Sequence, residues 1–314
     1  MNILICGMGA LGTVFGVFLK EAGHAVFGLA KERHLPDLQG RKLQVTGIWG
    51  EHSATFDGIA SSGDEFCGTK FDLIVLTVKS YDTAEAISLA KPLVGERTLV
   101  MAAQNGYGNY ETVAAAVGKE HSLLARVIFG AKLLAPGSAE VTVIADAVRL
   151  GQPDMAVPEA RVREVAAAIN ASGIPTEYAG NITAVLWDKI LYNAALNPPG
   201  ALLECTYGQL AENDQSRLLM DRIIDEIFLV ATALGIPLNW SSADDYRRHF
   251  YTRLVPPTAA HYPSMYHDVK AGKRLEIEAL NGAIVRLGSE NGIETPVNKT
   301  ITELVRAKEA LHRK

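Results

Sequence analysis

Met1-Asn-Ile-Leu-Ile-Cys-Gly-Met-Gly-Ala-Leu-Gly12 opens the chain, and its reading decides the fold. Asn2 to Cys6 is a short apolar run of strand length, too short for a signal peptide. It leads into Gly7-x-Gly9-x-x-Gly12. Leu11, Val14, Phe15, Phe18 and Leu19 then recur at helical spacing, and the pattern stops near Gly23. Strand, glycine turn, helix is the context in which this spacing predicts a dinucleotide site rather than an ordinary tight turn. Gly7 permits the turn, Gly9 lets the backbone approach a pyrophosphate, and Gly12 allows close helix–strand packing. The helix N-terminus supplies amide donors to the phosphates. Met8, Ala10 and Leu11 lie in the same turn and complete the candidate cofactor-binding set there.

Working outward, the apolar run Asp72 to Val78 and the strand Thr98 to Ala103 are of the kind expected in a sheet covered on both faces. Ala25 to Leu29 is a second strand, and a helical stretch runs from about Thr83 to Leu93. This alternation predicts a parallel, right-handed doubly wound sheet. From His121 to Leu150 the pattern turns β-rich (Leu123 to Phe129, Glu140 to Ile144, Ala147 to Leu150), split by Pro136-Gly137, and reads as a partly antiparallel far edge of that sheet. A helix from Pro158 to Ser172 and a strand near Thr176 to Tyr178 close the domain. Beyond Gly180 strand signals nearly vanish. Helical periodicity covers Asn181 to Asn197, Ser216 to Leu234 and Leu275 to Glu290, the last stopping at a C-cap, Asn291-Gly292. The expectation is an α/β, Rossmann-type domain over 1–180 followed by an all-α substrate domain over 181–314. Such a junction is a usual place for a ligand cleft.

The 314 residues are 48% hydrophobic and 21% charged, as in a globular protein with substantial cores. A net charge of −5 without a dense Lys/Arg cluster argues against nucleic acid or an anionic membrane as partner. No apolar run approaches the about 20 residues needed to span a bilayer. Met1 begins the first strand directly, so no targeting segment is expected. Cys6, Cys67 and Cys205 are scattered, with no CxxC and no metal spacing, which suggests a reducing cytoplasm and no metal site.

The end of the second strand speaks to the cofactor. An enzyme preferring NAD usually places Asp or Glu there for the ribose 2′-hydroxyl. Here Lys31 and Arg33 stand ready to bracket a 2′-phosphate, which favours NADP; the alternative is that Glu32 binds a hydroxyl. Two further strands end in polar residues at their carboxyl ends, Lys79-Ser80 and Gln104-Asn105-Gly106, where open α/β sheets bind ligands. In the second half, Ala184, Leu186, Trp187, Ile190, Leu191, Ala194 and Ala195 surround most of one helix, so it reads as buried. Against them Lys189, Asn193 and Asn197 recur every four residues as a polar stripe. Pro198 is expected to end the helix at Asn197. Buried polar groups need partners, so the stripe is either an internal network or a cleft wall for a polar substrate. Hydride transfer to a carbonyl needs a proton donor at the oxygen, and burial can bring a Lys pKa toward neutrality. Lys189 is the candidate. Glu276, near the start of the helix from Leu275, can accept from a substrate hydroxyl or from Lys189, or simply favour the helix N-terminus through the dipole.

These residues together resemble the ketopantoate reductase (2-dehydropantoate 2-reductase) family nearly end to end. The motifs stand as Gly7-Met-Gly-Ala-Leu-Gly12, Val78-Lys79, Gln104-Asn105-Gly106, Leu186-Trp-Asp-Lys189 with Asn193 and Asn197-Pro198, Ser264-Met265-x-x-Asp268, and Glu276-Ile-Glu-Ala-Leu-Asn281-Gly282. The resemblance implies NADPH-dependent reduction of a small 2-oxo acid, ketopantoate first, in pantothenate biosynthesis. It implies Lys189 as acid/base and Glu276 as holder of the substrate hydroxyl. It also implies Asn105 near the nicotinamide and the reacting centre, Asn193, Asn197 and Ser264 on the substrate, and Lys31 and Lys79 on the cofactor. Departures from the family pattern are Glu278 for a more usual Asp, His261 for a more usual Asn, and Pro198-Pro199. A different 2-oxo acid and a non-catalytic NADP sensor are the competing functions; intact Lys189 and Glu276 speak against the sensor. A homodimer is compatible with the sequence.

Overall fold

The opening run forms β1 (Asn2–Cys6), buried from Ile3 to Cys6, and feeds α1 (Ala10–Glu21) through the glycine turn. In this computed structural model, which describes residues 1–40 and 42–312, the chain forms two units, Met1–Ile182 and Thr183–Lys314. The first continues with β2 (Ala25–Leu29), α2 (Leu35–Leu38), β3 (Leu43–Gly47), β4 (His52–Ala54), β5 (Gly58–Ala60), β6 (Leu73–Leu76) and α3 (Thr83–Ala90). Then come β7 (Leu99–Ala102), α4 (Asn109–Val117), β8 (Ser122–Arg126), β9 (Phe129–Ala135), β10 (Ser138–Ile144), β11 (Val148–Gly151), α5 (Glu159–Ala171) and β12 (Thr176–Tyr178).

Eight strands make the main sheet in the order β12-β11-β8-β7-β6-β1-β2-β5. All neighbours pair in parallel except β8 and β11. Successive side chains of a strand point to opposite faces, and β1 divides accordingly. Ile3 and Ile5 join one core with Val14 and Phe15 of α1 and Val162 and Ile169 of α5. Leu4 and Cys6 join another with Ala86 and Ile87 of α3 and Val113 of α4. Apolar residues from Ile3 to Cys6 of β1 and at every position of β6 and β7 thus answer to helices on both faces. This is the doubly wound α/β architecture that the sequence predicts.

The segment from His121 to Leu150 departs from expectation. β8 and β11 do lie toward one edge of the main sheet. But β9 and β10 pair across Pro136-Gly137 and join β3 and β4 in a separate sheet, order β4-β3-β10-β9. The cause is the residue pattern. Leu43 and Val45 in β3, and Ala139 and Val141 in β10, are buried while the residues between them are not. That one-sided alternation suits a sheet packed on one face, not the core of a doubly covered one. Gly47, at φ 105°, lets β3 end against β10; a Cβ there would sit 2.1 Å from the Val141 carbonyl oxygen.

Among its described residues the second unit has helices and no strand: α6 (Ile182–Leu203), α7 (Tyr207–Glu212), α8 (Asp214–Ala233), α9 (Ala243–His249), α10 (Ser264–Lys270), α11 (Asn281–Glu290) and α12 (Pro296–His312). Two sequence expectations are corrected here. First, α6 does not stop at Asn197 but runs through Pro198 and Pro199 to Leu203. A proline inside a helix leaves the carbonyl four residues back without its amide donor. For Pro198 that carbonyl belongs to Ala194, and the side-chain amide of Asn281 donates to it at 3.3 Å. Asn281 also donates to Asn298 Oδ1 at 2.9 Å, and Asn298 Nδ2 donates to Glu226 Oε2 at 2.7 Å. Glu226 further accepts from the backbone of Val297 and Asn298, capping α12. Second, Leu275 to Glu290 is not one helix. A 3₁₀ turn at Ile277–Ala279 ends at Leu280 (φ −108°, ψ −109°), and α11 starts at Asn281. Its end at Asn291, with Gly292 at φ 69°, is as the sequence predicts. α12, beyond that cap, is unanticipated.

Candidate active site

In the first unit the glycine turn is built to leave backbone exposed. Gly7 sits at φ 104°, where a Cβ would meet Val78 Cγ1 at 2.7 Å, and a Cβ on Gly12 would meet the Gly7 carbonyl oxygen at 2.0 Å. Gly9 is the opposite case: a Cβ there meets nothing within 4 Å. Gly9 is also the N-cap of α1, makes no side-chain cap, and is followed by a first turn without an acidic residue. Helix amides left uncapped beside open space suit a phosphate, so these residues fit a dinucleotide. Met8 is 8% exposed and packs on Gly28, and Ala10 and Leu11 lean on the core. Their contribution to such a site is backbone. Thr77 Oγ1 donates to the Gly7 carbonyl at 2.7 Å, tying the end of β6, and so Val78-Lys79, to this turn.

Lys31 and Arg33 follow β2 and hold different partners. Lys31 Nζ donates to Asp82 Oδ2 at 2.9 Å, whereas Arg33 Nε lies 3.2 Å from His34 Nε2. Lys79 caps the 3₁₀ turn Ser80–Asp82 after β6. Asn105 follows β7 in a loop held by a buried chain of hydrogen bonds. Gln104 Nε2 donates to Thr83 Oγ1 (2.9 Å), Thr83 donates to Asn109 Oδ1 (2.8 Å), and Asn109 Nδ2 donates to the Asn105 carbonyl (2.9 Å). Thr83 and Asn109 are neighbours that the sequence reading missed.

In the second unit α6 carries Lys189 and Asn193, both half-buried, and Asn197, 7% exposed, against fully buried Trp187, Leu191, Ala194 and Ala195. Asp188 anchors the helix by accepting from Asn239 Nδ2 (2.6 Å) and Trp240 Nε1 (2.9 Å). Asn197 Oδ1 accepts the buried Tyr207 hydroxyl at 2.5 Å. The Tyr207 amide donates to the His261 carbonyl at 3.1 Å, so His261 joins the same corner. Gly200, three residues beyond Asn197, lets Pro263 pack on α6; a Cβ there would be 2.6 Å from Pro263 Cγ. Ser264 begins α10 at that contact. Glu276 is half-buried and precedes the 3₁₀ turn rather than opening a long helix. Glu278 is held by Arg306 through two hydrogen bonds of 2.7 and 2.8 Å, which keep its carboxyl below the usual range. That makes Glu278 an anchor to α12. Tyr207 escaped the sequence reading; one signal for it was an aromatic just after the Thr206 capping box.

The chain matches the family model "Ketopantoate reductase PanE/ApbA" over residues 3–154 and "Ketopantoate reductase PanE/ApbA C terminal" over 181–309. It is 46% identical to the 2-dehydropantoate 2-reductase of Aquifex aeolicus, covering 100% of this chain and 99% of that one. The chain belongs to the ketopantoate reductase family. It is an oxidoreductase of that type. The 2-dehydropantoate 2-reductase of Pyrococcus horikoshii is 31% identical over 99% of this chain and 98% of its own. Among solved structures, the family's ketopantoate reductase from Ralstonia eutropha JMP134 superposes with a TM-score of 0.88 at 28% identity, covering 100% of both chains. D-mandelate dehydrogenase with NADH and anilino(oxo)acetate superposes equally well, with a TM-score of 0.88, 26% identity and 100% of both chains covered. No helix among the described residues is long and apolar enough to cross a membrane.

Proposed function

We propose that this ketopantoate reductase family member reduces 2-dehydropantoate to pantoate with NADPH, the Met1–Ile182 unit binding the cofactor and the helical unit supplying the acid. The observation that carries this reading is the stripe Lys189, Asn193, Asn197 on the mostly buried α6. The relatives named 2-dehydropantoate 2-reductase, matched over the whole chain, support the substrate. The solved NADH complexes support a nicotinamide cofactor, and Lys31 with Arg33 supports its 2′-phosphorylated form.

The nicotinamide, when bound, supplies hydride to the keto carbon. Lys189 gives a proton to the carbonyl oxygen as negative charge gathers there. Asn197, its Oδ1 engaged by Tyr207, turns its Nδ2 donors to the substrate, with Asn193 and the Ser264 hydroxyl as further donors. Glu276 accepts from the substrate's distal hydroxyl. In the other unit Gly7 to Gly12 cradles the pyrophosphate, Lys31 and Arg33 meet the 2′-phosphate, and Lys79 and Asn105 contact the rest of the cofactor. Three free cysteines fit a reducing, cytoplasmic setting.

The test is Lys189→Ala. Ketopantoate-dependent NADPH oxidation is expected to lose about 10²–10⁴-fold in kcat, the range for a missing general acid, with NADPH affinity unchanged. Near-normal turnover would return the stripe to an internal polar network.

A further inference from the structure

The Lys31–Asp82 pair lies in a telling place. β1 sits between β6 and β2 in the sheet, and all three run parallel. Lys31 follows the carboxyl end of β2, and Asp82 stands six residues beyond the end of β6. Strands in a sheet are about 4.8 Å apart, so β2 and β6 are separated by about 10 Å with β1 between them. The ion pair therefore joins the two flanks of the sheet's carboxyl edge, past the end of β1 that carries the glycine turn. Its Nζ–Oδ2 distance is 2.9 Å, with side chains 51% (Lys31) and 22% (Asp82) exposed. A pair so open to water is held weakly. Asp82 also sits at the N-cap of α3 without using its side chain as a cap. The carboxylate is thus committed to Lys31 and not to the helix.

We infer that Asp82 tempers the NADPH preference of this site by competing for Lys31, holding it when no 2′-phosphate is present and releasing it to one that arrives. This rests on the reading that Lys31 meets the 2′-phosphate. A phosphate is the stronger partner for an ammonium, because it offers more charge and several acceptor oxygens. NADPH can therefore draw Lys31 from Asp82; NADH, with a neutral 2′-hydroxyl, cannot. The arrangement has a cost for NADPH. Asp82 competes for Lys31, and its negative charge remains beside the phosphate once the lysine has moved. NADH meets neither penalty. Asp82 accordingly moderates the NADPH preference that Lys31 creates.

The experiment is titration of the full chain with NADPH and with NADH, using the unmutated protein, Asp82→Asn, Lys31→Met and the double variant. Asn is as good an N-cap as Asp, so Asp82→Asn keeps α3 intact. Removing the carboxylate is expected to tighten NADPH about 3–10-fold at low salt, with the gain shrinking as salt screens the charges. NADH affinity should stay put. In the Lys31→Met background the gain should fall well below that in the unmutated protein, since the competition for Lys31 is gone. An Asp82→Asn protein with unchanged NADPH affinity, or with equal gains for both cofactors, overturns the inference while leaving an NADPH preference standing. Equal affinity for NADPH and NADH in the unmutated protein removes the NADP reading and this inference with it.

Discussion

The Asn197 carboxamide accepts the Tyr207 hydroxyl in a buried setting, and burial pushes the phenol's pKa upward. Tyr207 therefore stays protonated and donates at any working pH, which fixes Asn197 with its Oδ1 turned to the phenol. Tyr207→Phe should release that orientation. The lost hydrogen bond is worth about 1 kcal/mol, so KM for the 2-oxo acid is expected to rise about fivefold with kcat little changed. Steady-state kinetics decide it: a lowered melting temperature with unaltered KM would leave Tyr207 a purely structural residue. At this scale the sequence is uneven. Lys189, Asn193 and Asn197 are legible because helical spacing alone puts them on one face. Asp82 and Tyr207 are not, because each matters through a partner that only the tertiary fold supplies. Lys31 is 51 positions from Asp82 in the chain, and nothing in its own neighbourhood announces that contact.

Helix α6 is the element on which local rules and tertiary structure disagree. Propensity ends it at Asn197; the fold carries it through both prolines, and at the first of them Asn281 stands in for the missing amide at Ala194. Asn281 is fully buried and serves Asn298 as well. Asn281→Leu would leave two buried acceptors without that donor, at about 1–3 kcal/mol each. Pro198→Ala restores a backbone N–H to the Ala194 carbonyl, so in that background the cost of Asn281→Leu should be smaller by about 0.5–2 kcal/mol. Urea denaturation of the four proteins measures this coupling, and strictly additive losses would show that the asparagine does not compensate the proline. The strands β1, β6 and β7 were readable as elements because both of their faces are buried. β3 and β4 were not: they alternate with polar residues, β3 is stabilised by pairing with a hairpin some 90 positions away, and β4 pairs in turn with β3.

For the whole molecule, the division into a doubly wound sheet followed by helices is written in the composition itself, since strand signals fade near Gly180. What composition omits is the second sheet, whose strands come from two distant stretches of chain, and the many short helices between the long ones. The similarity to the Aquifex aeolicus 2-dehydropantoate 2-reductase spans the whole chain. It leaves the substrate as the point to test, because D-mandelate dehydrogenase shares the fold as well as the Ralstonia eutropha ketopantoate reductase does. A site that pairs a substrate hydroxyl rejects an analogue lacking it by as much as about 10⁴-fold, and Glu276 is the group assigned to that pairing. The decisive measurement is therefore kcat/KM with NADPH for ketopantoate against 2-oxoisovalerate, which lacks the hydroxyl, in the unmutated enzyme and in Glu276→Gln. A strong preference for ketopantoate that collapses in Glu276→Gln is the predicted result; equal use of the two acids, or no reduction of ketopantoate, would contradict it.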